Sequence, residues 1–233
     1  MENPRVLVGC PTSSHKEYAL KQYAEAVKNL DYKNYDILLV DNSQNDNYFN
    51  KIKNHGLNVI KGEYYEGALK RIVNSRNLLR KYVLDNNYDY LFSLEQDVIP
   101  DKNALSKLIS HDKKVVSGIY FVHNIINNQR ILIPQAFIGL ENKTNNLPDM
   151  RWLTKQEVFS NKLIKIVSCG LGCVLIHKNI LEQIEFRTEN NVFDDRFFSL
   201  DLYKKNIPMY CDTSVKCKHL VLNRPYPWNE IKK

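Results

Sequence analysis

Glycine and proline are scarce in this chain, eight of each among 233 residues, and neither is clustered. That excludes collagen-like and low-complexity architectures. Long apolar runs are missing as well: none approaches the ~20 residues needed to cross a bilayer. The polar start Met1-Glu-Asn-Pro-Arg5 lacks the apolar core of a signal peptide. The expectation is a soluble, cytoplasmic protein. Cysteines number five, an odd count that argues against a disulfide framework. Cys169 and Cys173 enclose Gly-Leu-Gly in an apolar run, and Cys211, Cys217 and His219 lie downstream. Zinc knuckles hold their ligands on tight turns. The apolar context here favours buried thiols acting as small hydrophobes.

What is present is ordinary for a globular protein: 43% hydrophobic and 25% charged residues, enough chain for one domain with a full core. The formal charge is +7, from 33 Lys and Arg against 26 Asp and Glu. The lysines are spread singly rather than in runs, and no nucleic-acid motif accompanies them. They read as a solvated face, and no nucleic-acid partner is expected.

Periodicity divides the chain in two. Apolar runs at residues 5–10, 35–40, 57–60 and 88–94 read as strands, separated by helical spacing over 16–30, 46–55 and 68–84. Asp101 is placed to cap a further helix reaching about residue 109. Strands of continuous apolar residues alternating with helices imply a mostly parallel sheet covered on both faces. The second half is less regular. Strands are expected at 115–122, 130–138 and 209–220, with helices at 179–184 and 193–205. The apolar stretch 163–177 is broken by Gly170 and Gly172. Residues 142–159 are polar and Asn-rich and read as irregular, with Trp152 on an acceptor loop or lid. The tail, 223–233, has no clear element.

In open parallel sheets, ligands bind beyond the carboxyl ends of the strands. Three polar clusters fall there: Pro11-Thr-Ser-Ser14, Asp41-Asn-Ser43 and Glu95-Gln-Asp97. Neither the dinucleotide glycine fingerprint nor a P-loop occurs. Alternation along an extended strand would turn Glu95 and Asp97 to one side, where two carboxylates can hold a hard divalent cation. A turn at 97–100 is the competing reading.

The ordered set Val6-Leu-Val-Gly-Cys-Pro11, Ile37-Leu-Leu-Val-Asp-Asn-Ser43, Ser75-Arg-Asn77 and Leu91-Phe-Ser-Leu-Glu-Gln-Asp97 resembles the nucleotide-sugar half of GT-A glycosyltransferases. It is most similar to the family 2-like branch, over roughly residues 4–120 and more loosely to about 220. The resemblance implies one Rossmann-like α/β domain over 1–233, with a mostly parallel central sheet flanked by helices. Residues 1–120 would bind the nucleotide sugar, and 121–222 would form the acceptor and catalytic half.

It also implies roles. Asp97 matches the metal-binding acid of the family's Asp-x-Asp motif, while Glu95 departs from the first Asp by one methylene. His219 matches a histidine that completes the metal site. Pro11, Thr12, Asp41, Arg76, Asn77, Glu95, Gln96, Gly170 and Gly172 fall at donor-binding positions. Asp194 and Asp195 match the acidic pair that carries the base of inverting members, Asp195 in the base position and Asp194 a possible helix cap. The implied cofactor is Mn²⁺ or Mg²⁺ and the implied donor a nucleoside diphosphate sugar. The acceptor would be a glycan, lipid-linked or protein hydroxyl, and peripheral membrane contact is allowed. Two alternatives stand beside this reading: a nucleotidyltransferase that makes a sugar nucleotide, and a binding module of the same fold without turnover.

Overall fold

The computed structural model describes residues 3–144, 147–221 and 224–225. The central strand β1, Val6–Thr12, is buried along its whole length. A strand covered on both faces needs apolar side chains at odd and even positions alike. Val6, Val8 and Cys10 accordingly enter one core layer and Leu7 the other. Strand β2 (Tyr35–Asp41) pairs with β1 in parallel, and β3 (Val59–Lys61) with β2. On the other side β1 pairs in parallel with β4 (Tyr90–Leu94). The order reverses between β1 and β4, which places a ligand crevice at their carboxyl ends.

The chain continues through β5 (Val98–Ile99), β6 (Val115–Ile119), β7 (Phe121–Ile126), β8 (Gln129–Pro134), β9 (Ala136–Thr144) and β10 (Leu147–Trp152). Then follow β11 (Leu163–Ile166), β12 (Ser168–Cys169), β13 (Cys173–His177), β14 (Met209–Lys216) and β15 (Lys218–Val221). The main sheet has eight strands in the order β11-β14-β6-β13-β4-β1-β2-β3. Only β13 and β11 run antiparallel to their neighbours in it.

Helices cover both faces. On one side lie α1 (Leu20–Lys28), α2 (Asn47–Asn54) and, after α3 (Ala68–Asp85), α4 (Ala104–Ser110). Leu20, Tyr23, Val27, Ile52, Leu105 and Leu108 carry their apolar stripes into the layer of Val6 and Val8. On the other side α3 joins two later helices; α5 (Lys155–Val158) intervenes in the chain before α6 (Lys178–Leu181) and α7 (Asp194–Lys204). Leu79, Val83, Ile180, Leu181, Phe198 and Leu202 meet Leu7 there.

Several expectations are corrected. The segment 142–159 is not irregular: β9 and β10 form an antiparallel hairpin, and α5 follows with a capping box between Thr154 and Glu157. Pro148–Arg151 are all half-buried and Trp152 is exposed, so burial does not alternate along β10 and neither face shows an apolar signature. Trp152 therefore ends a strand, 43% exposed, rather than sitting on a loop. The single strands expected at 115–122 and 130–138 divide at Tyr120 and Gln135, which redirect the chain into the β7–β8 hairpin and β9. The cap of α4 is Asn103, not Asp101. The stretch before α1 is a 3₁₀ helix, Ser14–Ala19. Of the tail, only Arg224–Pro225 is described, paired with β15; the rest lies outside the described residues.

Scarce glycine is compensated. Among the described residues eight non-glycine positions have positive φ, and seven of them are asparagine, including Asn127 and Asn128 in the β7–β8 turn. Asparagine tolerates the left-handed region better than other side-chain-bearing residues, so it takes glycine's usual place in these turns. All five cysteines are reduced and buried, as the apolar contexts predict.

Candidate functional site

The parallel strands β1, β4 and β6 deliver their carboxyl ends to one edge, and a cavity of about 360 Å³ opens there. Its walls include Pro11, Thr12, Lys16, Arg76, Glu95, Gln96, Tyr120, Leu171, Asp194, Asp195 and His219. Residues from both halves of the chain thus converge on one space. A smaller, mostly apolar hollow of about 190 Å³ beside α7 contains none of these acids.

The strand-end acids do not share a side in the way alternation predicts. Strand β4 stops at Leu94, and residues 95–97 turn, with Val98 N donating to Glu95 O at 2.9 Å. Glu95 therefore faces Arg76, whose Nη2 lies 2.5 Å from its Oε1. Gln96 points inward, 1% exposed, where Nε2 donates to Lys16 O at 2.6 Å and Oε1 accepts from Thr12. Its side chain is a buttress for the loop after β1.

Asp97 is 2% exposed and sits behind Lys16 and His219. Its Oδ2 is crowded: Lys16 Nζ makes an ion pair with it, Tyr18 donates a hydroxyl at 3.1 Å, and His219 Nε2 lies at 3.3 Å. Its Oδ1 is buried and has no hydrogen-bond donor among the described residues, which is costly for a carboxylate oxygen. Burial pushes this carboxyl up, but His219 and Lys16 outweigh it and bring it down to about 2. His219 is lowered by burial and raised more strongly by Asp97, so its balance lies above the ordinary imidazole range.

His219 Nδ1 lies 2.6 Å from Phe121 O. A ring nitrogen tied to a backbone carbonyl leaves the other directed at its partner, the arrangement that orients metal-binding histidines. Among the described residues no three His, Cys, Asp or Glu side chains converge on a point. The donor set is one carboxylate with an unsatisfied oxygen and one oriented imidazole. Those two fit a hard divalent cation whose other ligands come from phosphate and water.

Arg76 is the electrostatic hub, 2% exposed on α3. Nε lies 2.8 Å from Asp194 Oδ2, and Nη1 donates to Ser93 Oγ at 2.7 Å and to Leu171 O at 3.3 Å. Burial disfavours its charge, but Asp194 and Glu95 more than restore it, so the guanidinium is raised. Asp194 is therefore a buried counter-ion rather than a cap: α7 starts from Phe193 without a side-chain cap. Asp195 is left with a hydrogen bond from Arg196 N at 2.7 Å. Burial first, and the neighbouring Asp194 second, push its carboxyl above the usual aspartate range.

Other expected residues are placed elsewhere. Asn77 clamps the backbone of Phe186, donating to its O at 2.8 Å and accepting from its N at 3.0 Å. Adjacent helical residues are about 100° apart, so Arg76 and Asn77 cannot serve the same space. Asp41 is fully buried, accepting from Ser43 N at 2.9 Å in a turn and pairing with Lys61 at 3.0 Å. Its neighbour Asn42 lines the cavity instead.

Gly170 and Gly172 flank the lining residue Leu171 and let Tyr120 come close: Gly172 N donates to its hydroxyl at 3.2 Å. A Cβ on Gly172 would lie 2.7 Å from that oxygen, and one on Gly170 would collide with it outright. Gly170→Ala is expected to cost about 1–3 kcal/mol, the range for overpacking. Chemical denaturation should show most of that loss recovered in Gly170→Ala with Tyr120→Phe, where the clashing oxygen is gone.

Sequence reasoning missed Lys16, Tyr18 and Tyr120. Lys16 is one lysine among many, and Tyr120 follows an apolar strand with no polar cluster to mark it.

No family model matches the chain, and no curated protein matches it. Solved structures do. A197 from STIV superposes with a TM-score of 0.56 at 16% identity, over 94% of this chain and 87% of that one. S. aureus TarS gives 0.55 at 16% identity, over 89% of this chain but 35% of TarS. TarS 1–349 in complex with UDP-GlcNAc gives 0.55 at 15%, over 91% of this chain and 57% of that fragment. The likeness is one of fold, and the fold is the GT-A arrangement expected from the sequence. Among the described residues no helix is long and apolar enough to cross a membrane.

Proposed function

We propose that this chain is a glycosyltransferase that moves a sugar from a nucleoside diphosphate to a hydroxyl acceptor with inversion. The observation that carries the reading is the single cavity in which the loop after β1, the acids after β4 and Asp195 of α7 meet. The fold-level likeness to TarS, solved with UDP-GlcNAc and with UDP, makes a uridine donor the first candidate.

Asp97 and His219 are the residues that would hold a divalent cation, Mn²⁺ or Mg²⁺. When bound, such a cation neutralises the diphosphate as it leaves. The chain's own residues do the rest. Thr12 and Asn42, which line the crevice, would meet the nucleoside, and Glu95, held by Arg76, would face the sugar. Asp195 takes the acceptor hydroxyl's proton while that oxygen bonds to the anomeric carbon and the bond to the diphosphate breaks on the opposite face. Phe193, 55% exposed beside it, offers an apolar surface to the acceptor.

The test is a calorimetric screen of UDP, GDP, CDP and ADP with and without Mn²⁺, followed by hydrolysis assays on the matching sugar nucleotides. One diphosphate should bind in a metal-dependent way, and its sugar nucleotide should be slowly hydrolysed. Absence of binding by all four would reject the reading.

A further inference from the structure

The cation site of the proposed function is guarded by a cation of the protein's own, and the following inference rests on that reading. We propose that Lys16 changes partner as the site fills: its ammonium holds Asp97 in the free protein and moves to the donor diphosphate when a divalent cation takes that carboxylate.

The geometry forces a displacement. Asp97 is buried, and Lys16 and His219, not Asp97 itself, form the cavity wall in front of it. Lys16 Nζ is on the same oxygen, Oδ2, that His219 Nε2 approaches to 3.3 Å. A cation bound by His219 and by either oxygen of Asp97 would sit beside the ammonium on Oδ2, and two positive charges repel at that range.

The side chain is built to move while its root is not. Lys16 N donates to Ser13 O at 2.8 Å, and Lys16 O accepts from Gln96 Nε2 at 2.6 Å, so the backbone is pinned at both ends of the residue. Its side chain is 37% exposed, a compact charge on a flexible four-carbon stem. The other strong cations of the wall are committed. Arg76 is buried between Glu95 and Asp194, and Arg71 donates to the carbonyls of Tyr65 and Glu66.

Charge balance then decides where the ammonium goes. In the free protein Lys16 and Asp97 neutralise each other. A divalent cation leaves Lys16 uncompensated, and a sugar-linked diphosphate, with about two negative charges, restores neutrality. When the glycosidic bond breaks, the departing nucleoside diphosphate gains one more negative charge within reach of the same ammonium, which favours the transition state over the ground state. Lys16 thus couples cation binding to diphosphate binding.

The experiment is calorimetry on the full chain, wild type against Lys16→Met, which keeps the stem and removes the charge. Three titrations are compared: Mn²⁺ alone, UDP alone, and UDP with saturating Mn²⁺. Mn²⁺ alone should bind the variant about 3–10-fold more tightly, because no ammonium has to be displaced. UDP with Mn²⁺ should bind it about tenfold more weakly, the loss of one charge-assisted contact. Opposite signs in the two titrations are the signature. Lys16→Arg should keep UDP affinity near wild type, and Lys16→Gln repeats the comparison should the Met variant fold poorly.

A Lys16→Met protein that binds Mn²⁺ more weakly, or UDP with Mn²⁺ unchanged, overturns the proposal while leaving the functional reading intact. A wild type that binds UDP without any response to Mn²⁺ also overturns it. The titrations use whichever of the four diphosphates the wild type binds, UDP first; a wild type that binds none of them under any metal condition overturns the functional reading and this inference together.

Discussion

Asp195→Asn should lower sugar transfer by about 10²–10⁴-fold, the contribution of a positioned general base, while donor affinity stays unchanged. The substitution is conservative where it matters for folding. Asp195 accepts from Arg196 N at 2.7 Å, and an asparagine carbonyl accepts the same bond. Helix α7 starts from Phe193 with no side-chain cap, so no cap is lost. Asp194, the buried partner of Arg76, is untouched. What disappears is a carboxylate able to take a proton. The pH dependence carries a second signature. Burial and Asp194 raise Asp195, and only its ionised form is a base. The rate should be full above that raised value and fall about tenfold per unit below it, with the acid limb above the usual aspartate range. Transfer at near wild-type rate in the variant, or a product that keeps the donor's anomeric configuration, removes Asp195 from this role.

The sequence made the first half of the fold legible because its strands are buried on both faces. Every residue of Val6–Thr12 is buried, and Val6–Cys10 accordingly carries no charged or strongly polar side chain, which makes the run hard to mistake. Helix α3 likewise carries a stripe through Leu79 and Val83, and its observed span, Ala68–Asp85, exceeds the expected one by a single residue. The second half was harder for a physical reason. Leu147–Trp152 is held by cross-strand pairing to β9, while the side chains of Pro148–Trp152 stay partly exposed, so no periodicity records it. Helical and strand patterns report burial, and a half-solvated hairpin has little burial to report.

The site divides along a similar line. Asp97 and His219, 122 positions apart, meet at 3.3 Å, although no local pattern links them. The alternation argument for Glu95 and Asp97 fails because it assumes an extended chain, and β4 ends one residue too early. Asn77 and Asp41 show a different limit. Their residue types match donor-binding positions, but each finds a nearer backbone or lysine partner in this chain. Lys16 was invisible because a lysine's meaning lies in what it faces. Only the fold reveals that the carboxylate it faces is Asp97.

Asp97→Asn should abolish the effect of divalent cations on nucleoside diphosphate binding. Asparagine keeps the size of the side chain and an oxygen for Tyr18 and Lys16, but it loses the charge that a hard cation requires. Metal affinity should fall by at least about 100-fold, beyond the ~10–100-fold that outer-shell losses cost. The fold should survive. Removing one member of a buried ion pair is most damaging when the other charge is trapped, and the Lys16 side chain, 37% exposed, can turn to solvent. His219 is the more confined partner, and losing Asp97 removes the strongest influence raising it, so burial then favours its neutral form. Thermal melting should therefore show a modest shift, while calorimetry with UDP gives the same affinity in Mn²⁺ as in chelator. A variant that retains the wild-type response to Mn²⁺ would place the cation elsewhere. It would also leave the pairing of Lys16 with Asp97 as a structural ion pair with no part in donor binding.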